Sequence, residues 1–272
     1  MIPQNARAGL LLALAAITIF AAQDGVSKHL AANYPPVFVV TVRYWAFALF
    51  VLVWAARRPG GIRDVARTSQ PVLQMARGAL LGLQVVIAIT AFARVGLVPT
   101  MALFASAPLV VAALSVPVLG ERVGWRRWTA IAVGFAGVMI ILRPGPGMLQ
   151  SEIWMSVVAM AWIAVDSVMT RLASRRDRAE ASFFYTGIGG VAVLSLIGPF
   201  HVTAFEGWDW AWMAFACVTG AAGHYFLIRA FAATDAVVIQ PVTYLQIVLG
   251  AVTGVVIFGE ALDPFVVLGA AV

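Results

Sequence analysis

The stretch Ala91-Phe92-Ala93, followed by a long apolar run and closed by Leu119-Gly120-Glu121, decides the fold. Its outline returns as Ala230-Phe231-Ala232, an apolar run, then Phe258-Gly259-Glu260. Ala91 answers to Ala230 and Glu121 to Glu260, with no gap between the copies. Between the ends the agreement is mostly in apolar character. An echo over half a chain length marks a duplicated unit, and duplicated units in membrane chains are characteristic of transporters. A second echo supports the duplication. Asp24-Gly-Val-Ser-Lys28-His-Leu-Ala31 resembles Asp166-Ser-Val-Met-Thr-Arg171-Leu-Ala173, each an acid deep in an apolar run with a base about one turn on.

The solvent that such a chain requires is lipid. Of 272 residues, 62% are hydrophobic and 11% charged, with mean hydropathy +0.94. A soluble domain is roughly half apolar and about a quarter charged. The single cysteine, Cys217, excludes an internal disulfide framework. The net charge of +6 does not point to nucleic acid, because the basic residues sit in short gaps between apolar runs rather than on one stripe. The first apolar run reads as a retained helix and not as a signal peptide.

A helical span needs about 20 apolar residues. Runs of that kind are Gly9–Ala31, Val37–Ala56, Leu73–Ala93, Leu97–Leu119, Trp125–Leu142, Ile153–Ala173, Phe183–Phe200, Trp210–Phe231 and Val237–Phe258. A tenth starts at Pro264 and stops at Val272, too short to cross, and is expected to be a truncated or incomplete helix. Strand alternation is absent, which argues against a β-barrel. The expectation is an all-α polytopic membrane protein with ten spans. The segment Arg143-Pro-Gly-Pro-Gly147 is the joint between a first repeat, 1–147, and a second, 148–272.

With a cytoplasmic N-terminus, the inner segments hold Arg7, then Arg57, Arg58, Arg63, Arg67 and Arg77, then Arg122, Arg126 and Arg127, then Arg171, Arg175, Arg176 and Arg178, and finally Arg229. The outer segments hold Lys28, Arg94 and Arg143, and Arg43 lies within a span. That bias puts both termini of the ten-span chain in the cytoplasm. Five spans per half is odd, so the second repeat enters the bilayer inverted, with Glu121 inside and Glu260 outside. Trp54, Trp125, Trp128, Trp154, Trp208, Trp210 and Trp212 fall at span ends, as an aromatic belt does, whereas Trp162 falls near mid-span.

Charges within spans carry the chemistry, since each costs at least about 2.5–3.5 kcal/mol unless paired or wetted. Asp24 has Lys28 one turn on, which predicts either a local ion pair or the wall of a polar path. Asp166 has Thr170 one turn on and Arg171 beyond. His224 and Tyr225 lie within the eighth span. A lone histidine is usually a satisfied packing group, but the membrane raises the case for a cavity. Gln240, Pro241 and Tyr244 gather polar groups on the ninth span. Pro108 is the candidate hinge of the fourth, with a fixed kink as the plainer alternative. Gly78-x-x-x-Gly82 and Gly250-x-x-x-Gly254 predict close helix packing. Glu121 and Glu260 are expected to bond backbone groups of the next helix start. No hydrolase, phosphate-loop or paired-cysteine signature occurs, and the three histidines are far apart, so no enzyme activity, metal or cofactor is expected.

The chain resembles the EamA-type ten-helix members of the drug/metabolite transporter superfamily. The resemblance rests on Asp24 with Lys28, Arg43, Pro108 ahead of Gly120-Glu121, and Pro241 with Tyr244 ahead of Phe258-Gly259-Glu260. It implies two inverted five-helix repeats in a bacterial inner membrane and a central cavity lined by the first, third, fourth, sixth, eighth and ninth spans. It further implies export of small metabolites from the cytoplasm. Within the superfamily the chain is most similar to the YddG-type amino-acid exporters. The cavity would take Gln23, Asp24, Gln84, Met101, Trp162, Asp166, His224, Tyr225, Gln240 and Tyr244. Such a lining suits an amphipathic solute, and aromatic or other hydrophobic amino acids are the expected substrates. A multidrug or other metabolite carrier is the alternative of the same class. A non-transporting receptor or scaffold would carry larger loops, and an intramembrane lipid enzyme would need a nucleophile with its base. Partners are the bilayer and a small solute, not nucleic acid. A monomer is the expected unit, with the oligomeric state left open.

Overall fold

Proline opens the helices at Pro36, Pro71 and Pro264, where its missing N–H costs nothing and its fixed φ suits the first turn. A computed structural model describes residues 6–119, 125–142, 152–233, 236–261 and 263–271. The helices are α1 (Ala6–Asn33), α2 (Pro36–Ala56), α3 (Gly61–Val65), α4 (Pro71–Arg94), α5 (Leu97–Phe104) and α6 (Ala107–Leu119). They continue as α7 (Trp125–Leu142), α8 (Trp154–Ser174), α9 (Ala179–Ile197), α10 (Asp209–Ala233), α11 (Ala236–Phe258) and α12 (Pro264–Ala271). No strand occurs among the described residues. Seven of the described spans are long and apolar enough to cross a membrane, and the apolar helix Tyr244–Phe258 is shorter. The chain is therefore a multi-pass helical membrane protein. The joint 143–147, Gly120-Glu121 and Arg122 lie outside the described residues.

The run 97–119 is not one straight helix. It breaks at Ala105-Ser106, just before Pro108. Pro108 has no N–H for a bond back into α5, and Ser106 Oγ instead donates to the Leu103 carbonyl at 2.6 Å. The bend falls beside the proline that the sequence marks as a hinge. At the other end of α5, Gly96 takes φ 111° and lets the chain turn out of α4.

Two helix pairs approach through glycine. A Cβ on Gly78 of α4 would overlap the Tyr185 carbonyl of α9, and one on Gly82 would sit 3.1 Å from the Gly190 Cα. In α11, a Cβ on Gly250 would sit 3.0 Å from Met101 Cγ. Lipid offers no hydrophobic gain to helix association, so close backbone packing of this kind supplies much of the attraction. α4 lies against α8 and α9, α1 against α10 and α11, α2 against α9 and α10, and α5 against α11. The main core gathers Leu30, Phe38, Val39, Tyr44, Phe47, Phe92, Leu97, Met101, Phe183 and Leu194.

Each end of the bundle is stitched by polar bonds. At one end the loop after α8 lies on the segment between α2 and α4. Asp177 accepts from Thr68, from the Ser69 amide at 2.9 Å and from Gln74 at 3.0 Å, and Arg178 pairs with Asp64 at 3.1 Å. Burial tends to raise the Asp177 pKa, but the bonds from Thr68, Gln74 and Ser69 outweigh it and hold the carboxyl below its usual value. Arg175 joins this end by donating to the Leu119 carbonyl at 3.1 Å. At the opposite end Asp209 meets His29 at 2.7 Å and Tyr34 at 2.8 Å, and Arg94 pairs with Glu152 at 2.8 Å. The first end is rich in arginine. Trp125, Trp154, Trp208, Trp210 and Trp212 are exposed, as belt residues are. Trp54 is not: it is partly buried against Phe183, with the Arg58 guanidinium 4.7 Å from its ring.

Candidate functional site

Four polar side chains on one stretch of α1 reach three other helices. Gln23 donates to the Ala216 carbonyl of α10 at 2.8 Å and to Thr219 Oγ1 at 3.1 Å. Asp24 accepts from Gln246 of α11 at 2.8 Å. Ser27 accepts from Arg43 Nη1 of α2 at 3.2 Å. Lys28 pairs with Glu260, just beyond α11. Of the two readings open for Asp24 and Lys28, the local ion pair is not formed, and two long-range partnerships take its place. One turn of helix brings both groups to the same face, but Asp24 finds a better-placed partner on α11 and Lys28 one just beyond its end.

Glu260 is a junction. Its two carboxylate oxygens accept the Leu97 and Val98 amides at 2.7 and 2.8 Å, where α5 leaves N–H groups unmatched. The Lys28 ammonium also lies 4.2 Å from the Phe258 ring centroid. Burial raises the Glu260 pKa, yet the bonds from Lys28, Leu97 and Val98 prevail and keep it below the usual carboxylate value. Glu260 does bond backbone groups, but at the start of α5, remote in sequence, and not at the next helix start as expected.

A second cluster surrounds Arg77, which is 2% exposed. The charge bias places it with the inner topology arginines, but its side chain is buried within the bundle. Its guanidinium donates to Gln74 Oε1 at 3.4 Å, Thr170 Oγ1 at 3.3 Å, the Ser182 carbonyl at 2.6 Å and Thr186 Oγ1 at 2.7 Å. Thr170 in turn bonds to Asp166, and Arg77 acts on that carboxylate electrostatically. Asp166 Oδ1 is shut off from solvent and has no hydrogen-bond partner among the described residues, and the same is true of the Tyr44 hydroxyl. Tyr44 lies within the fields of Arg43, Arg77 and Asp166, and Asp24 within that of Arg43.

Aromatic rings adjoin the charges. The His224 ring stacks on Phe47 at 5.8 Å and 5°, and meets Phe20 edge-on at 5.1 Å. Tyr225 packs against Phe183 and Trp54 at 5.5 and 6.5 Å. Those three, with Ala179, Glu180, Ile228 and Arg229, line a cleft of only 10 Å³, room for one water at most. Gln84 is buried on α4, and Met101 is buried on α5 against Gly250. Trp162 is partly buried on α8, and Tyr244 is 44% exposed on α11. The Gln240 side chain lies outside the described residues.

Of the residues named from sequence, Gln23, Asp24, Asp166 and His224 share the polar interior with Arg43. Tyr44, Arg77, Thr186 and Gln246 complete it. The Gln74-x-x-Arg77 spacing, which puts two polar groups on one helical face, is the signal that could have drawn Arg77 inward. Among the described residues no group of three or more His, Cys, Asp or Glu is placed to hold a metal. The arrangement presents fixed charges, hydrogen-bonding atoms and flat rings, which are the means of holding a polar solute.

Comparison with known proteins agrees with these features. The model of the EamA-like transporter family matches residues 7–143 and again 149–272. An S-adenosylmethionine uptake transporter of Rickettsia prowazekii is 25% identical over 97% of this chain and 89% of its own length. A riboflavin transporter of Rhizobium johnstonii is 33% identical over 75% of this chain and 68% of its own. A pseudopaline exporter of Pseudomonas aeruginosa is 24% identical over 97% and 92%. A solved crystal structure superposes with TM-score 0.65 at 19% identity, covering 97% of this chain and 92% of the other, which shows a shared fold. None of these three relatives is named as an amino-acid exporter of the YddG type. The chain belongs to the EamA-like transporter family.

Proposed function

We propose that this membrane carrier moves a small amphipathic metabolite across the bacterial inner membrane by alternating access. The solute bears a flat ring. The two halves, 1–147 and 148–272, are inverted five-helix repeats, and the solute passes between them. Support for the duplication comes from the two matches of the family model, at 7–143 and 149–272, and from the paired echoes of Glu121 with Glu260 and Asp24 with Asp166. Both termini face the cytoplasm, in keeping with the arginine-rich end of the bundle.

The observation that carries the proposal is the charged interior. Asp24, Arg43, Arg77 and Asp166 lie on apolar helices long enough to cross a membrane, where ionised groups are expensive unless they serve a pathway. Beside them stand the rings of Phe20, Phe47 and His224. One relative is named for S-adenosylmethionine, a compound that joins an amino-acid end to a flat base, and another for riboflavin, which carries a large flat ring. Aromatic or other hydrophobic amino acids leaving the cytoplasm are the specific case to test.

Counterflow in proteoliposomes loaded with unlabelled solute tests this. Labelled phenylalanine, S-adenosylmethionine and riboflavin are offered in turn. Accumulation of at least one above protein-free liposomes is expected, and accumulation of none would refute the proposal.

A further inference from the structure

We propose that the arginine-rich end of the bundle carries a site for the phosphate of an anionic phospholipid, gripped by Arg67, Arg176 and Arg178. The site is separate from the charged interior and does not depend on which solute the carrier moves.

Its place is an open cleft of about 430 Å³. One wall is Arg67 with Thr68 and Ser69, and the other is Arg176, Asp177 and Arg178. That volume falls within the range of small-ligand pockets, about 300–1,000 Å³. Asp177 ties the walls together. One of its oxygens accepts the Ser69 amide and hydroxyl at 2.9 and 3.0 Å, and the other accepts Thr68 Oγ1 and, at 3.0 Å, Gln74 Nε2. Those bonds fill the acceptor positions of a carboxylate, so Asp177 has none left for an arginine.

The cations of the cleft are accordingly available. Among the described residues the Arg67 and Arg176 side chains have no hydrogen-bond or ion-pair partner. Arg178 uses Nη2 alone, donating to the Asp64 carbonyl at 2.6 Å and pairing with the Asp64 carboxylate at 3.1 Å. Its Nε and Nη1 donors remain uncommitted. A guanidinium offers a planar fork that matches phosphate oxygens two at a time. Three guanidiniums meet two carboxylates here. Asp64 is 44% exposed, and Asp177 is held below its usual pKa, so neither belongs to the buried interior. One positive charge is in excess, and a phosphodiester carries one negative charge.

Two exposed apolar side chains favour a lipid over a free anion. Ile62 of α3 is 40% exposed, and Val72 in the first turn of α4 is 81% exposed. They flank the stretch 64–69 in sequence, one on each side. On a chain that spans a membrane such side chains meet acyl chains, which sets the cleft at the level of the head groups. Basic pockets at that depth bind phospholipid head groups, and in the orientation proposed above this end faces the anionic cytoplasmic leaflet.

The test is lipid binding to the full-length chain in detergent, read by native mass spectrometry and by the shift in melting temperature. Dioleoylphosphatidylglycerol, dioleoylphosphatidylcholine and inorganic phosphate are titrated separately. The phosphatidylglycerol is expected to bind about tenfold or more tighter than the phosphatidylcholine, whose choline cation cancels the phosphate charge. Arg67→Gln combined with Arg176→Gln weakens phosphatidylglycerol by about tenfold or more, and either alone by about threefold. Arg57→Gln combined with Arg63→Gln removes the same charge from exposed positions outside the cleft and stays within about twofold of wild type. Melting of each variant without added lipid checks that it folds. Equal loss in the two double variants means diffuse attraction to this end and overturns the site, as does equal binding of the two lipids. Inorganic phosphate that stabilises the chain as well as phosphatidylglycerol does, at equal concentration, assigns the cleft to a free anion and overturns the lipid.

Discussion

Replacing Glu260 by glutamine removes one charge and tests how the α5 start, α1 and the end of α11 are held together. In the wild type one carboxylate accepts the Leu97 and Val98 amides at 2.7 and 2.8 Å and pairs with Lys28. The side chains of Lys28 and Glu260 are 13% and 14% exposed, so water screens the pair little. Glutamine keeps one acceptor and turns an NH2 toward a donor. At least one charge-assisted bond is lost, each contributing about 1.5–3 kcal/mol, and Lys28 is left without its counter-charge. The contact of Lys28 with the Phe258 ring recovers part of this. A net loss of about 2–4 kcal/mol follows, or roughly 5–10 °C in melting temperature for a chain of this size. Lys28→Met should lose less, about 1–2 kcal/mol, because Glu260 keeps both amides. The double variant should lose less than the sum of the two. The pH dependence has a definite sign. The Glu260 pKa is lowered on folding, so its stabilisation is present above the ordinary carboxylate value of 4.5. It is lost as pH falls through the lower folded value. Thermal unfolding in detergent at pH values falling from 7 through the carboxylate range should therefore show the gap between wild type and Glu260→Gln narrowing on acidification. A variant that melts within about 1 °C of wild type at pH 7, or a gap that widens on acidification, would refute the latch.

Other perturbations have equally definite outcomes. Gly78→Ala drives a Cβ into the Tyr185 carbonyl and should cost upwards of about 3 kcal/mol, read as lost melting temperature. Gly187→Ala on α9, where a Cβ would make ordinary contact at 3.5 Å with Val51, should stay within about 1 kcal/mol. Pro108→Ala allows α5 and α6 to join and should slow counterflow roughly several-fold without lowering melting temperature. Asp177→Asn loosens the segment carrying Thr68 and Ser69, and trypsin should cut near Arg63 and Arg67 about threefold faster or more.

Much of the helical layout could be read from apolar runs, because lipid leaves the backbone no alternative to internal hydrogen bonding. The break before Pro108 was legible too, since a proline interrupts the ladder wherever it falls. The Gly78-x-x-x-Gly82 spacing announced a close approach on α4, although its partner, α9 with Gly189 and Gly190, lies too far along the chain for spacing to reveal. Side-chain partnerships were the least legible. Lys28 follows Asp24 by one turn, but a long side chain reaches other helices, and Glu260 with its two amides is the stronger site. Arg77 misled for a related reason. An arginine near the start of a span is usually an interfacial anchor, and only the folded contacts with Thr170, Ser182 and Thr186 show that this one turns inward. Tyr44 carried no signal at all, because a tyrosine in an apolar run is ordinary until its hydroxyl is found without a partner.

Whether the two halves are inverted can be measured directly by sided labelling of single cysteines in a Cys217→Ser background. Arg122→Cys and Ala261→Cys occupy corresponding places after Glu121 and Glu260. Opposite orientation of the halves requires a membrane-impermeant maleimide to reach Ala261→Cys from outside intact cells, and Arg122→Cys only in inside-out vesicles. Labelling of both from the same side would contradict a passage built from inverted repeats, and with it the transport route through Asp24, Arg43, Arg77 and Asp166.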